Sequence, residues 1–451
     1  MNPHTTKPAA ASDTSTGLVP EDGSLVLVAR KHARARRLHK PGNQSLPAYF
    51  TIHGIASPAV ARTQLWSNMA RIMTASTRGP ISSLLQQLLA VPTSKTSRGY
   101  SLAFDALALA QLGTAYKQND LLHQAVLSYC DAVRNLRMEL MHAAATGVFP
   151  DELLVTPYLL FLGSLFATIA SQEGSLSSLA HLCGLAYALQ SVKKARSRLH
   201  LELLDALHQP LFILGLCLRK AFPVFMSRKE MEGLSKLPNH FAELTRSTMD
   251  LPALLERADE YPCMAPTLRR EFELDLSIFD TKVRFWLERP TGLDEDGTEL
   301  YQEVSVDKMP SFDAHLDFLS VTVFETGYRW RNLEYGWAHL RAWLSLLAIQ
   351  MIRLDFVEMS DKSRGEAHLI GFQCADDICR TIACFIGTPS AGNEWFVAAA
   401  AAIPFVTRWY TARCDEKKME WCAAVRAVCH AAGFTTLTDL SSSASRGALC
   451  A

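Results

Sequence analysis

Neither sign of charge prevails in this sequence: lysine plus arginine and aspartate plus glutamate number 45 each in 451 residues. A balanced chain has no global field to draw it onto DNA or an anionic membrane, so any nucleic-acid contact must come from a local patch. Strand signals are scarce as well. No series of short alternating runs bounded by turn pairs occurs, and the run Leu25–Val28 stands alone. No cysteine precedes Cys130, and the eleven cysteines are scattered and odd in number. In a chain of this size that usage points to a reducing compartment rather than a disulfide framework. No apolar run follows Met1, so a secretory leader is not expected. Leu153 to Ala170 is uncharged and resembles a membrane span, about 18 apolar residues being the lower edge for spanning. It contains Pro157 and Gly163 and follows Asp151 and Glu152, which favours a buried core helix.

The familiar signatures of catalysis are missing. Gly-x-Ser-x-Gly, which presents a nucleophile on a strand-to-helix turn, does not occur. The nearest match to a phosphate-binding loop, Gly292 to Gly297-Thr298, lacks the lysine that meets the phosphates. Read from Gly292 as a calcium loop, Asp294, Asp296, Gly297 and Glu303 fall at ligand and turn positions. Gly292 supplies no first carboxylate, however, and Glu299 stands where such loops are apolar, so the stretch reads as a solvated acidic loop. Asp376-Asp377-Ile378-Cys379-Arg380 begins like the diphosphate-binding aspartates of all-α cyclases but places arginine where another carboxylate belongs. It reads as a charged pair on a solvated helix face. Cys414, Cys422 and Cys429-His430 recur near one side of a single helix, which cannot wrap a metal, and Cys374, Cys379 and Cys384 rotate around theirs. They read as small apolar core residues. His200 and His208 mark a partly buried helix face. No metal, cofactor or enzymatic activity is expected.

What is present is apolar material at helical spacing. Residues 1–45 are rich in Pro, Ser, Thr and Gly and too poor in large apolar groups to offset ordering entropy, so they are expected to be a disordered basic segment. It carries Arg30, Lys31, Arg34, Arg36, Arg37 and Lys40, a basic run in a neutral chain. That run reads either as a nuclear-import signal or phosphate-binding arm, or as a solvated tail. Residues 46–436 form the expected large multi-helix domain, and 437–451 a short disordered tail. Leu122, Ala125, Val126, Tyr129, Val133, Leu136 and Leu140 recur at three- and four-residue steps, the mark of one buried helical stripe. Similar patterns cover 81–90, 100–117, 152–171, 177–196, 199–221, 266–288, 314–357, 366–387, 393–412 and 416–432. The Arg289–Glu299 stretch reads as a long loop between two halves that share one core. The fold class is therefore all-α.

Leu109 to Tyr116 followed by Ala125, Tyr129 and Ala132 matches one tetratricopeptide-like helical hairpin, with no second copy. Larger blocks carry a family likeness. Leu46-Pro47-Ala48-Tyr49-Phe50 with Leu65-Trp66, then Ala106 to Gly113, Tyr129 to Leu136, Asp151 to Phe166 and His181 to Leu189, follow one another in order. Ile403-Pro404-Phe405, Arg408-Trp409, Ala412-Arg413-Cys414 and Trp421 close the series. Together they resemble the fungal-specific transcription factor regulatory region, the helical domain that follows a binuclear zinc cluster in many fungal regulators. The likeness spans residues 46–433. It implies an all-α regulatory domain in the nucleus, of the kind found in regulators of secondary metabolism, acting through protein contacts or a small-molecule effector. This chain lacks the Cys-x2-Cys-x6-Cys cluster of that family, so it is not expected to read DNA sequence by itself. The expected partners are proteins, including a DNA-binding transcription factor, with no membrane, and a homodimer is compatible with the sequence. A helical adaptor without a transcriptional role and an all-α enzyme with an unrecognised site remain open.

Overall fold

A computed structural model describes residues 62–69, 97–116, 118–147, 150–167, 211–216, 218–221, 239–288, 299–305, 323–331, 333–387 and 393–431, with single positions at 181, 184, 185, 203 and 207. Of these, 85% are helical, and two short strands are the remaining regular structure. The sequence expectations for residues 1–45, including the basic run Arg30 to Lys40, lie outside the described residues. So do those for Leu25–Val28, 81–90, 177–180, 289–298 and the tail after 431.

The first three helices build one layer of core. Helix α1 (Arg98–Tyr116) is buried almost without interruption from Ala103 to Gly113. Ser97 caps its start: the Tyr100 amide donates to Ser97 Oγ at 3.1 Å, and the Gly99 amide donates to Glu139 Oε1 at 3.1 Å. These contacts satisfy amides that have no partner within the helix. Helix α2 (Asn119–Thr146) returns along α1 and ends at Gly147, whose φ of 70° lets its amide reach back to the Ala143 carbonyl at 2.8 Å. A side chain at Gly147 would oppose that left-handed closure. Helix α3 (Asp151–Ala167) covers the other side of α1. No helix among the described residues is long and apolar enough to cross a membrane, and the apolar start of α3 is core. Residues 62–69 join this layer through Asp105, which accepts from the Arg62 guanidinium at 2.7 Å and from Trp66 Nε1 at 2.8 Å.

The carboxy-terminal layer surrounds one helix. Helices α4 (Asn239–Thr248) and α5 (Leu251–Glu260) lead through a tight turn, Tyr261–Cys263, into α6 (Pro266–Glu288). Strands β1 (Tyr301–Ser305) and β2 (Thr326–Trp330) pair antiparallel with Tyr301 opposite Trp330 and Ser305 opposite Thr326. Helix α7 (Leu333–Phe356) follows and is buried on every face from Gly336 to Ile352, as a helix enclosed by others must be. Helices α8 (Asp361–Gly387), α9 (Asn393–Thr411) and α10 (Glu416–Ala431) complete the layer. Gly371 lets α8 and α9 approach closely, because a Cβ there would collide with the Trp409 ring.

One expectation changes. Residues 314–357 do not form one helix: 326–330 is a strand, and α7 starts at Leu333. Thr326, Tyr328 and Trp330 alternate with exposed Arg329, and their pairing partner is remote in sequence, so helical spacing further along masked the strand. Among the described residues, buried side chains group into one cluster spanning Trp66 to Leu214 and another spanning Phe212 to Cys429. The helical segment 211–216 serves both: Leu211 and Leu214 face the first, while Phe212, Ile213 and Leu216 face the second.

Candidate functional site

Among the described residues, a network of polar side chains lies where α8 meets β2, α9 and α10. Successive residues of a helix point about 100° apart, so Asp376 and Asp377 on α8 face different neighbours. Asp377 is buried and Asp376 partly exposed, which corrects the sequence reading of a solvated face. Asp377 turns toward the hairpin, where the Tyr328 hydroxyl donates to its Oδ1 at 2.6 Å. Arg380, one turn along, reaches the Tyr328 oxygen at 3.4 Å, Asp377 at 3.8 Å and Glu303 of β1 at 3.6 Å. Burial pushes the Asp377 carboxyl up to about 6, against the opposing pull of the Tyr328 hydrogen bond and the Arg380 charge. Burial, and then Asp377 itself, raise the Tyr328 phenol above its ordinary range.

Asp376 turns the other way and accepts from the Tyr410 hydroxyl at 2.7 Å and from Lys418 Nζ at 2.6 Å. The ammonium also sits 5.1 Å from the Tyr410 ring centre, 5.7 Å from Phe324 and 5.8 Å from Phe372, within cation–π reach of all three. Cys379 follows the two aspartates on α8, its Sγ 3.9 Å from the Tyr410 oxygen. Burial, and then the neighbouring Cys422, raise the Cys379 thiol well above its ordinary value. A thiol kept protonated is a poor nucleophile. Cysteines that cannot converge along one helix therefore do meet across two, α8 and α10. Cys429 is also raised by burial, to about 12. Among the described residues no three His, Cys, Asp or Glu side chains are grouped to hold a metal ion.

The hairpin closes this region with rings. Tyr301 packs 4.9 Å from Tyr328 and 4.8 Å from Trp330, and Trp330 lies 4.9 Å from His339 of α7. Among the described residues, buried Trp330 Nε1 has no acceptor. Elsewhere a cation is buried against neutral oxygens rather than a carboxylate. The Arg341 guanidinium donates to Thr248 Oγ1 at 2.6 Å and to the Thr245 carbonyl at 3.3 Å, and lies 3.9 Å over the Phe212 ring. Burial lowers it to about 9. Both oxygens belong to the last turn of α4, where exposed carbonyls carry partial negative charge, so Arg341 closes that helix end.

Of the residues singled out in the sequence, Glu303 of the acidic loop pairs with Arg380, and the other candidate calcium positions, 292–298, lie outside the described residues. His200, His208 and the basic run Arg30, Lys31, Arg34, Arg36, Arg37 and Lys40 lie outside them as well. Tyr116 and Tyr129 are half-buried at the edge of the α1–α2 pair, with the Tyr129 oxygen 2.6 Å from His181 Nε2. Sequence spacing could not reveal Lys418 or Tyr328 as partners of the aspartates, because they lie 42 and 49 residues away. No protein-family model matches this chain, nor does any curated protein or solved structure.

Proposed function

We propose that this chain is a non-enzymatic transcriptional regulator of fungal type that acts in the nucleus through protein contacts or a small-molecule effector, without a zinc-cluster DNA reader of its own. The observation that supports this reading most is where the reactive and the apolar side chains lie. The aspartates, tyrosines, lysine and thiols around α8 are paired with one another inside the layer. Large apolar side chains stand on an outer face instead: Leu127, Met138 and Met141 of α2 are all exposed. Exposed apolar groups clustered on one helix mark contact surfaces more often than catalytic ones, and methionine suits a surface that adapts to its partner. The resemblance of residues 46–433 to the fungal regulatory region supports the transcriptional role.

The test has two arms. The full chain, tethered to an unrelated DNA-binding module upstream of a reporter, should change reporter output, and Met138→Glu with Met141→Glu should reduce that change. A tagged chain should concentrate in the nucleus and shift to the cytoplasm when Arg34, Arg36, Arg37 and Lys40 are changed to Ala. A chain with no reporter effect at verified nuclear levels would overturn the regulatory reading. The α1–α2 hairpin also suits a helical adaptor without a transcriptional role, and reporter silence combined with captured cytoplasmic partners would favour that alternative.

A further inference from the structure

Helix α6 carries apolar side chains on two sides, and one side enters the core. Phe272, Leu276, Phe279, Val283 and Trp286 enter the core, and Asp280 on the same side accepts from Gln350 of α7 at 2.8 Å and forms an ion pair with Arg284 at 2.9 Å. This side is therefore anchored. On the outward side Leu274, Ile278, Thr281 and Phe285 follow one another at steps of four, three and four, the spacing of a coiled-coil seam. Leu274 remains 60% exposed, Ile278 44% and Phe285 57%. Leu369 of α8 is 70% exposed, and Glu366, one turn before it, pairs with Arg284 of α6 at 3.5 Å.

The charges along this seam are complementary to themselves. When two copies of α6 are laid antiparallel about the point between Ile278 and Thr281, Leu274 of each copy meets Phe285 of the other. Ile278 then meets Thr281. The same alignment sets Asp275 of each copy beside Lys282 of the other, giving two opposite-charge contacts flanking the apolar centre. The Arg257 guanidinium holds Asp275 at this edge at 2.6 Å, and Lys282 is exposed. Antiparallel packing also opposes the two helix dipoles. A parallel pairing would instead set Lys282 against Ser277, where no charge answers it. The outer layers would bring Glu271 near Glu288, so the favourable contact is confined to the central turns.

We infer that the outward face of α6 is a self-association surface on which a second copy of this chain docks antiparallel, with Leu274, Ile278 and Phe285 at its centre and Asp275–Lys282 contacts at its edges. The inference stands independently of the regulatory reading. Its test is sedimentation of the full chain over a range of concentrations. The parent should dimerise reversibly, and Ile278→Glu should be monomeric with unchanged circular dichroism. Lys282→Glu and Asp275→Lys should each weaken self-association roughly tenfold or more, because each sets like charges together twice. Mixed in equal amounts, those two variants should pair with each other, since both edge contacts of the mixed dimer then join opposite charges. A parent that stays monomeric, a dimer that survives Ile278→Glu, or a dimer indifferent to Lys282→Glu would overturn the inference. Failure of the mixture to pair would overturn the antiparallel register.

Discussion

The Tyr410 hydroxyl donates to Asp376 across 34 residues of sequence, and Lys418 approaches the same carboxylate oxygen from α10. One acceptor thus ties α8 to both helices that close the carboxy-terminal layer. Tyr410 is fully buried, so Tyr410→Phe removes a donor while leaving the ring in place. The expected cost is about 1–3 kcal/mol, the range for leaving a buried acceptor short of a partner. Urea unfolding of parent and variant measures it, and a variant as stable as the parent would show that Lys418 alone satisfies Asp376.

Asp377 gives a pH dependence whose sign follows from its environment. Its carboxyl is raised from an ordinary 3.8 to about 6 in the folded chain, so the native state holds this proton more tightly than the unfolded state. Stability is then fully present below about pH 4 and is lost as pH rises through about 6, by roughly 3 kcal/mol from this group. The groups facing it are Tyr328, Arg380, Asp376 and Glu303, and of these Tyr328 and Arg380 pull the value down. Asp377→Asn should flatten the stability profile over that interval. A profile identical in parent and variant would place the Asp377 proton elsewhere.

The two sides of the α1–α2 pair should differ in sensitivity. Phe104 is fully buried beside Trp66, at 4.4 Å between ring centres, whereas Tyr129 is half-buried. Phe104→Ala is expected to cost about 3–5 kcal/mol, and Tyr129→Ala clearly less, because less apolar surface leaves water there. From sequence alone Tyr129 reads as a core position, and the structure lowers that expectation. Chemical denaturation of both variants under one condition ranks them, and the reverse order would count against this packing.

Sequence-specific DNA binding by the purified chain is not expected. Base reading needs an element shaped for a groove, with phosphate contacts around it. The basic run Arg30, Lys31, Arg34, Arg36, Arg37 and Lys40 can neutralise a few phosphates, which gives salt-sensitive binding on the order of 10⁻⁴ to 10⁻⁶ M. Selection from a random-sequence DNA library at physiological salt is the check. Enrichment of one motif at nanomolar affinity would reveal a reading element in this chain.

Several elements were legible before any tertiary information. The apolar periodicity of 266–288 marks the limits of α6, and the readings at 393–412 and 416–432 match α9 and α10 to within one residue. Helices of this length declare themselves because their burial repeats locally. Strand β2 did not, since a five-residue strand draws its stability from a partner that local pattern cannot point to. The acidic pair at 376–377 is equally ambiguous in isolation, because a helix face is solvated or buried according to what packs on it.

Composition and periodicity were enough to establish the class of this protein: a neutral, cysteine-scattered chain with helical spacing and no familiar catalytic motif folds as helices. They suffice because burying one stripe per helix is a local requirement repeated along the chain. Packing between distant helices was needed to turn Asp376 and Asp377 inward and apart, to bring Cys379 to Cys422, and to close α4 with Arg341. Packing likewise leaves Leu274 and Ile278 of α6 outside while Leu276 and Phe279 go in. Those outcomes depend on which helices become neighbours, and contacts between residues tens of positions apart are set by packing of the whole layer rather than by any window of sequence.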